Sequence, residues 1–161
     1  QQSPGPWRTT ALRLQNVYGP GQSLRNPYTG VLSIFCQQAM EGQGLNIYED
    51  GDIFRDFVFV DDVVSAFVAA CAAPVPIERV MNIGTGVGTS IAHAARLILS
   101  QLGLPADRMR ISGAFRVGDI RYAVADNALA RSELGWKPEV SFEKGVAALV
   151  SWAQQQRNGG V

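Results

Sequence analysis

The stretch from Val80 to Leu102 confines this chain to a small set of folds. A short apolar run at Val80–Ile83 leads at once into Gly84-Thr-Gly-Val-Gly-Thr89, and Ile91, Ala94, Ala95, Ile98 and Leu102 then recur at helical spacing. A strand that passes through a glycine turn straight into a helix is the building unit of an α/β protein, in which the helix folds back over the sheet it has left. Gly103 and Pro105 stop that helix.

The rest of the chain follows the same grammar. Residues 10–17 read as one strand, ended by the turn chemistry of Tyr18-Gly-Pro-Gly21, and a loop runs on to Gly30. Residues 31–40 read as a helix stopped by Gly42 and Gly44, residues 45–48 as a brief strand closed by Asp50-Gly51, and residues 56–60 as another strand. Asp61 and Asp62 stand where exposed helix amides want a carboxylate, and Val63, Ala66, Phe67, Ala70 and Cys71 mark the apolar face of the helix that follows, up to Pro74 and Pro76. Short strands are expected over 108–124 around a Gly118-Asp119 bend. Asp126 and Ser141 are candidate caps for two last helices, and the polar tail 154–161 is expected to fray. The expectation is a mixed α/β chain without repeats or low-complexity segments.

The glycine turn invites a dinucleotide reading, since it follows a strand and opens a helix. Its spacing fails, because the third glycine of G-x-G-x-x-G would fall on Thr89 and no acidic residue closes a second strand about twenty residues on to hold a ribose. The turn is therefore read as structural, its glycines supplying positive φ and close strand-to-helix packing.

Composition removes other classes. Fourteen Lys and Arg balance fourteen Asp and Glu and are dispersed, which leaves no basic stripe for nucleic acid. No apolar run approaches the ~20 residues that span a bilayer, and the opening Gln-Gln-Ser-Pro-Gly-Pro-Trp has no leader character, so no membrane partner and a cytoplasmic location are expected. Cys36 and Cys71 fall on predicted apolar helix faces without ligand spacing, and His93 is the only histidine, so no metal centre is expected.

Five ordered blocks carry a resemblance. They are Leu12-Arg-Leu-Gln-Asn-Val-Tyr-Gly-Pro-Gly21; Ile47-Tyr-Glu-Asp-Gly51 followed by Arg55-Asp-Phe-Val-Phe-Val-Asp-Asp62; Asn82-Ile-Gly-Thr-Gly86; Arg116-Val-Gly-Asp119 with Ala125-Asp126; and Leu134-Gly-Trp-Lys-Pro138. Together they resemble the C-terminal portion of the NAD-dependent epimerase/dehydratase family, extended short-chain dehydrogenases that act on nucleotide sugars. The resemblance implies the C-terminal part of an extended Rossmann-type fold: a small mixed α/β substrate-binding subdomain, plus two strands, at 12–17 and 80–83, of a larger parallel sheet. It also implies that residues 1–161 are the substrate-binding portion, with the NAD-binding core lying upstream.

The implied roles suit the chemistry of the side chains. Arg55 and Arg116 match arginines that meet a diphosphate, which guanidinium groups engage with paired, charge-assisted hydrogen bonds. Asp119 matches an acceptor for ribose hydroxyls, and Asn16 an amide that touches sugar and phosphate oxygens. Tyr48 matches an aromatic that packs on the nucleotide base. Leu32 lies in the segment that borders the base, and the backbone of Gln15 and Val17 is placed beside nicotinamide.

The chain departs from the family pattern in one respect. The Tyr-x-x-x-Lys pair, in which lysine lowers the tyrosine pKa for proton removal, is not here: none of Tyr18, Tyr28, Tyr48 or Tyr122 has a lysine four residues on. The expected whole is an enzyme that uses NAD to invert a sugar carbon through a transient ketone, with this chain alone inactive. A dehydratase, reductase or decarboxylase of the same family is the alternative, and a non-catalytic sugar-nucleotide-binding module the rival of another class. Exposed sheet edges are expected to make the chain a homo-oligomer.

Overall fold

The expected first strand is two strands with different partners. In the computed structural model, which describes residues 9–24, 26, 30–73, 78–115 and 117–158, β1 (Ala11–Leu14) pairs in parallel with β6 (Val80–Ile83), Leu12 opposite Met81. β2 (Asn16–Tyr18) pairs in parallel with β5 (Phe57–Phe59), Asn16 opposite Phe57. The exchange takes place at Gln15, whose N–H donates to Ile83 O at 2.9 Å while the N–H of Asn16 donates to Asp56 O at 3.0 Å. Both amides stay satisfied, so the chain changes sheets without a hydrogen-bond penalty.

The β2–β5 ribbon divides the interior. Side chains alternate across a strand: Tyr18, Phe57 and Phe59 join a larger core with Leu32, Phe35, Ile98 and Leu149. Val17 and Val58 join a smaller one with Met81, Ile83 and Trp136. Helices α1 (Val31–Met40), α3 (Ile91–Gln101) and α5 (Phe142–Asn158) pack on one another around the larger core. Helices α2 (Val60–Ala72) and α4 (Ala128–Leu134) pack together beside β5 and β6 at the smaller.

Several helix ends follow local chemistry. Ser90 Oγ accepts from His93 N and caps α3, and Ser141 Oγ accepts from Lys144 N at the start of α5. Gly135, at φ 62, closes α4 in the left-handed conformation. At the other end of α4 the N-cap position belongs to Asn127; Asp126 assists, its Oδ1 accepting from Ala128 N at 2.9 Å.

Three expectations are corrected by tertiary structure. Asp62 does not cap α2: it is 4% exposed and accepts from the amides of Glu139 (2.9 Å) and Val140 (3.2 Å), fastening the 136–140 segment, whose Trp136 Nε1 donates to Asp62 O. On α2 only Val63 and Ala66 of the expected apolar face are buried; Phe67 and Cys71 are exposed, as are Val64 and Val68. Helical spacing fixes the direction of an apolar stripe, but the neighbours decide how much of it is covered. The tail does not fray from residue 154, for α5 continues through Asn158 and Arg157 donates to Met40 O at the end of α1. Pro74 and Pro76 lie outside the described residues, as does the tail beyond 158.

Five very short strands complete the fold. β3 (Leu45–Ile47) pairs in parallel with β8 (Met109–Ile111), and β4 (Phe54–Arg55) lies between antiparallel β7 (Thr89–Ser90) and parallel β9 (Tyr122–Ala123). Among the described residues no helix is long and apolar enough to cross a membrane, and no group of His, Cys, Asp and Glu could hold a metal ion.

Candidate functional site

The β4–β9 pairing brings together two side chains that the sequence separates by 64 residues. Phe54 N donates to Arg121 O at 2.8 Å and Asp56 N to Ala123 O at 3.0 Å, which fixes residues 121–123, the end of the bend that begins at Gly118, against β4. The Arg55 guanidinium then reaches into that bend: Nη1 donates to Phe54 O (2.9 Å) and Ile120 O (2.5 Å), and Nη2 donates to Asp119 Oδ1 at 2.6 Å. Side-chain exposures of 17% for Arg55 and 31% for Asp119 leave the pair within reach of a solute.

A second ion pair ties the same bend to the turn after β3. Arg121 donates to Glu49 Oε2 at 3.2 Å and Asp50 Oδ2 at 2.5 Å, and its hydrogen bond, aided by the Asp52 amide, holds the Asp50 carboxyl below the usual range. In that turn Glu49 adopts φ 50 and Gly51 φ 84, and a Cβ on Gly51 would stand 2.8 Å from Ala92 Cβ. Tyr48 opens the turn, half-buried, its carbonyl accepting from Gly51 N at 3.1 Å. Arg121 escaped the sequence reading, although opposite charge in the Glu49-Asp50 pair was a visible clue.

The anchor of the site is Asp56, which sequence reasoning also missed. Its carboxylate is 0% exposed and accepts four hydrogen bonds, from Thr85 N (2.7 Å), Thr85 Oγ1 (2.6 Å), Gly86 N (2.9 Å) and Ala125 N (3.1 Å). The Thr85 and Gly86 amides of the glycine turn, the kind of donors that cradle a phosphate, are thus filled by an internal carboxylate, as the structural reading of that turn requires. The fit is close, for a Cβ on Gly84 would lie 2.5 Å from Asp56 Oδ2 and 2.6 Å from Gln15 Cγ.

The other expected residues divide by position. Asn16 is exposed at the start of β2, opposite Phe57 of β5, with its N–H bonded to the carbonyl of Asp56, the residue after Arg55. Gln15 is half-buried against Gly84, and Val17 packs on the smaller core. Leu32, 1% exposed, has its side chain inside the larger core, where only its backbone is left to face a ligand. Arg116 lies outside the described residues.

Two buried groups are chemically quiet. Burial, reinforced by the charges of Asp62 and Glu143, raises the pKa of Tyr18, whose hydroxyl faces Phe142 O; it is a packing group and not a base at neutral pH. Burial also pushes the Cys36 thiol up to about 12, which keeps it protonated. A cleft of about 560 Å³ opens elsewhere, lined by Ala39, Met40, Leu102, Leu104, Gln154 and Arg157; none of the residues of the bend lines it.

Comparison with known proteins adds independent observations. Residues 2–84 match the family model for the NAD dependent epimerase/dehydratase family. The chain is 46% identical over 145 residues to a dTDP-L-rhamnose 4-epimerase of Burkholderia thailandensis, covering 90% of this chain and 39% of that protein. It is 40% identical over 137 residues to a UDP-glucose 4-epimerase of Mycolicibacterium smegmatis, covering 85% and 42%. The crystal structure of a Thermotoga maritima UDP-glucose 4-epimerase with UDP-glucose superposes with a TM-score of 0.85 at 35% identity, over 93% of this chain and 47% of that one. The chain thus spans less than half the length of these relatives.

Proposed function

Because this chain belongs to the NAD-dependent epimerase/dehydratase family, we propose that it is the nucleotide-sugar-binding portion of an epimerase that inverts one carbon of a uridine or thymidine diphosphate sugar. The observation that carries the reading is the partly open Arg55 guanidinium set in the bend that also presents Asp119. Arg55, with Arg116, holds the diphosphate through charge-assisted hydrogen bonds. Asp119 accepts from ribose hydroxyls, Asn16 contacts sugar and phosphate oxygens, and Tyr48 packs on the base. The substrate side chains therefore come from β2, β4 and the turns around them, with Asp56 tying β2 to β9 and the glycine turn, and Arg121 tying the turn after β3 to the bend.

The glycine turn of this chain does not fit a dinucleotide, since its Thr85 and Gly86 amides are bonded to Asp56. NAD in the whole enzyme is accordingly held mainly by residues outside this chain, with the backbone of Gln15 and Val17 beside it. The Gln15 amide is itself engaged with Ile83 O. The hydride chemistry is the cofactor's, and the contribution of this chain is to hold the sugar nucleotide in place.

Replacing Arg55 with alanine in the full-length protein is expected to weaken binding of a UDP- or dTDP-sugar by about 2 kcal/mol, the worth of a charge-assisted contact. Titration calorimetry reads this directly; an affinity equal to that of the parent removes Arg55 from the ligand. Self-association is proposed as well. Leu14 and Val80 on the β1–β6 pair and Val64, Phe67 and Val68 on α2 are exposed, and such faces drive association. Light scattering at micromolar concentration is expected to report a dimer or larger species for this chain, and a clean monomer would exclude it.

A further inference from the structure

The partner of Arg55 in the ligand-free protein is itself an anion. We propose that Asp119 is an exchangeable counter-ion for Arg55, which makes the site select nucleoside diphosphates over bare phosphates. The inference rests on the reading of Arg55 as the diphosphate-binding group, and it adds a selecting role for Asp119 that this reading does not contain.

The geometry sets up a competition at a single nitrogen. Asp119 Oδ1 lies 2.6 Å from Arg55 Nη2. A phosphate oxygen arriving at Arg55 must either displace that carboxylate or sit beside it on the same guanidinium, with two negative charges in contact. Both routes cost affinity, and both costs fall if Asp119 loses its charge, since only a neutral hydrogen bond then has to be broken. The pair is also weak enough to yield: partly exposed to water, it contributes little, whereas a diphosphate brings more charge and the oxygens for a forked contact.

The bend that carries Asp119 is built to let go. Gly118 sits at φ 85 with no atom within 4 Å of a built Cβ, and Val117 and Ile120 are 94% and 62% exposed. Next to it, Arg121 is fixed to Phe54 N by its carbonyl and to Glu49 and Asp50 by its side chain. The movable portion is therefore short, hinged at Gly118 and anchored at Arg121, and the contacts of Arg55 with Asp119 and Ile120 hold it against β4.

The exchange has a consequence for selectivity. A bare phosphate or pyrophosphate bears the full cost of unseating Asp119 and offers the released carboxylate nothing. A nucleoside diphosphate offers it ribose hydroxyl donors, so the lost ion pair is replaced by new hydrogen bonds. Asp119 thus discriminates against the inorganic anions that share the charge of the true ligand but lack its sugar.

The test uses inorganic pyrophosphate and UDP-glucose on the full-length protein, as parent, Asp119→Asn, Arg55→Ala and the double variant. Asp119→Asn is expected to bind pyrophosphate about three- to fivefold more tightly, the equivalent of the weak pair removed, and to bind UDP-glucose no more tightly than the parent. The gain for pyrophosphate is expected to disappear in the Arg55→Ala background, since the cycle then contains no pair to break. Pyrophosphate affinity that is unchanged or lower in Asp119→Asn, a gain just as large without Arg55, or no pyrophosphate binding by parent and variant alike would overturn the exchange. The reading of Arg55 fails by a different result, namely UDP-glucose affinity unaltered by Arg55→Ala.

Discussion

Asp56→Ala is expected to lower the stability of the fold by about 4 kcal/mol, because it strips one shared, fully buried acceptor from the buried Ala125 amide and from the partly buried Thr85 and Gly86 donors at once. The lost carboxylate leaves the amides of Thr85, Gly86 and Ala125 and the Thr85 hydroxyl without the acceptor they share. An orphaned donor costs about 1–3 kcal/mol when buried and less when partly exposed, and water entering the vacated space recovers part of the sum. Asp56→Asn should recover only a fraction: its amide oxygen replaces one acceptor, while its NH2 group confronts N–H donors on the other side. Urea unfolding at constant m value measures both variants. A loss below about 1 kcal/mol for the alanine variant would show that the four bonds are not what fastens the turn. Because Asp56 follows Arg55 and its carbonyl accepts from Asn16 N, the same variant should also blunt ligand binding wherever it still folds.

Gly145→Ala is the second large effect, about 3 kcal/mol of destabilisation even though alanine is the better helix former. A Cβ at Gly145, inside α5, would stand 2.1 Å from Tyr18 Oη, 2.8 Å from Tyr18 Cζ and 2.9 Å from Phe59 Cδ2. The ring cannot step aside, since Phe57, Phe59 and Phe142 pack edge-on around it at centroid distances of 6.2, 5.6 and 5.7 Å. Tyr18→Phe removes the nearest atom, and in that background the alanine should cost visibly less. Thermal unfolding of the four proteins of the cycle gives the coupling; additive losses would place the strain elsewhere.

What could be read from the sequence was what neighbours along the chain decide. Residues 31–40 and 80–83 have the boundaries expected of them, because apolar spacing and glycine stops act within a turn or two. The glycine turn at 84–88 was recognisable as structural from its spacing, but not the reason: the carboxylate that fills it comes from Asp56, 29 residues earlier. The break at Gln15 was hidden for a similar cause, since a continuous apolar pattern does not say that two strands wait on different sides. Asp61 and Asp62 looked alike as helix-start carboxylates, yet only Asp62 is buried, and its partners lie 77 and 78 residues away.

The site divides along the same line. Residue types and block order pointed to Arg55 and Asp119, whereas their meeting and the bracing by Arg121 depend on β4 and β9 lying side by side. Leu32 illustrates the local side of that line: its apolar side chain was legible as core, and the helix turns it inward.

The three-residue ribbon of β2 and β5 ties the molecule's melting behaviour together. Both apolar clusters press on it, one on each surface, so neither cluster has a floor once the ribbon gives way. Melting of one side is therefore expected to carry the other with it, so that a solute bound beside β4 raises the stability of the entire polypeptide and not merely of the residues it touches.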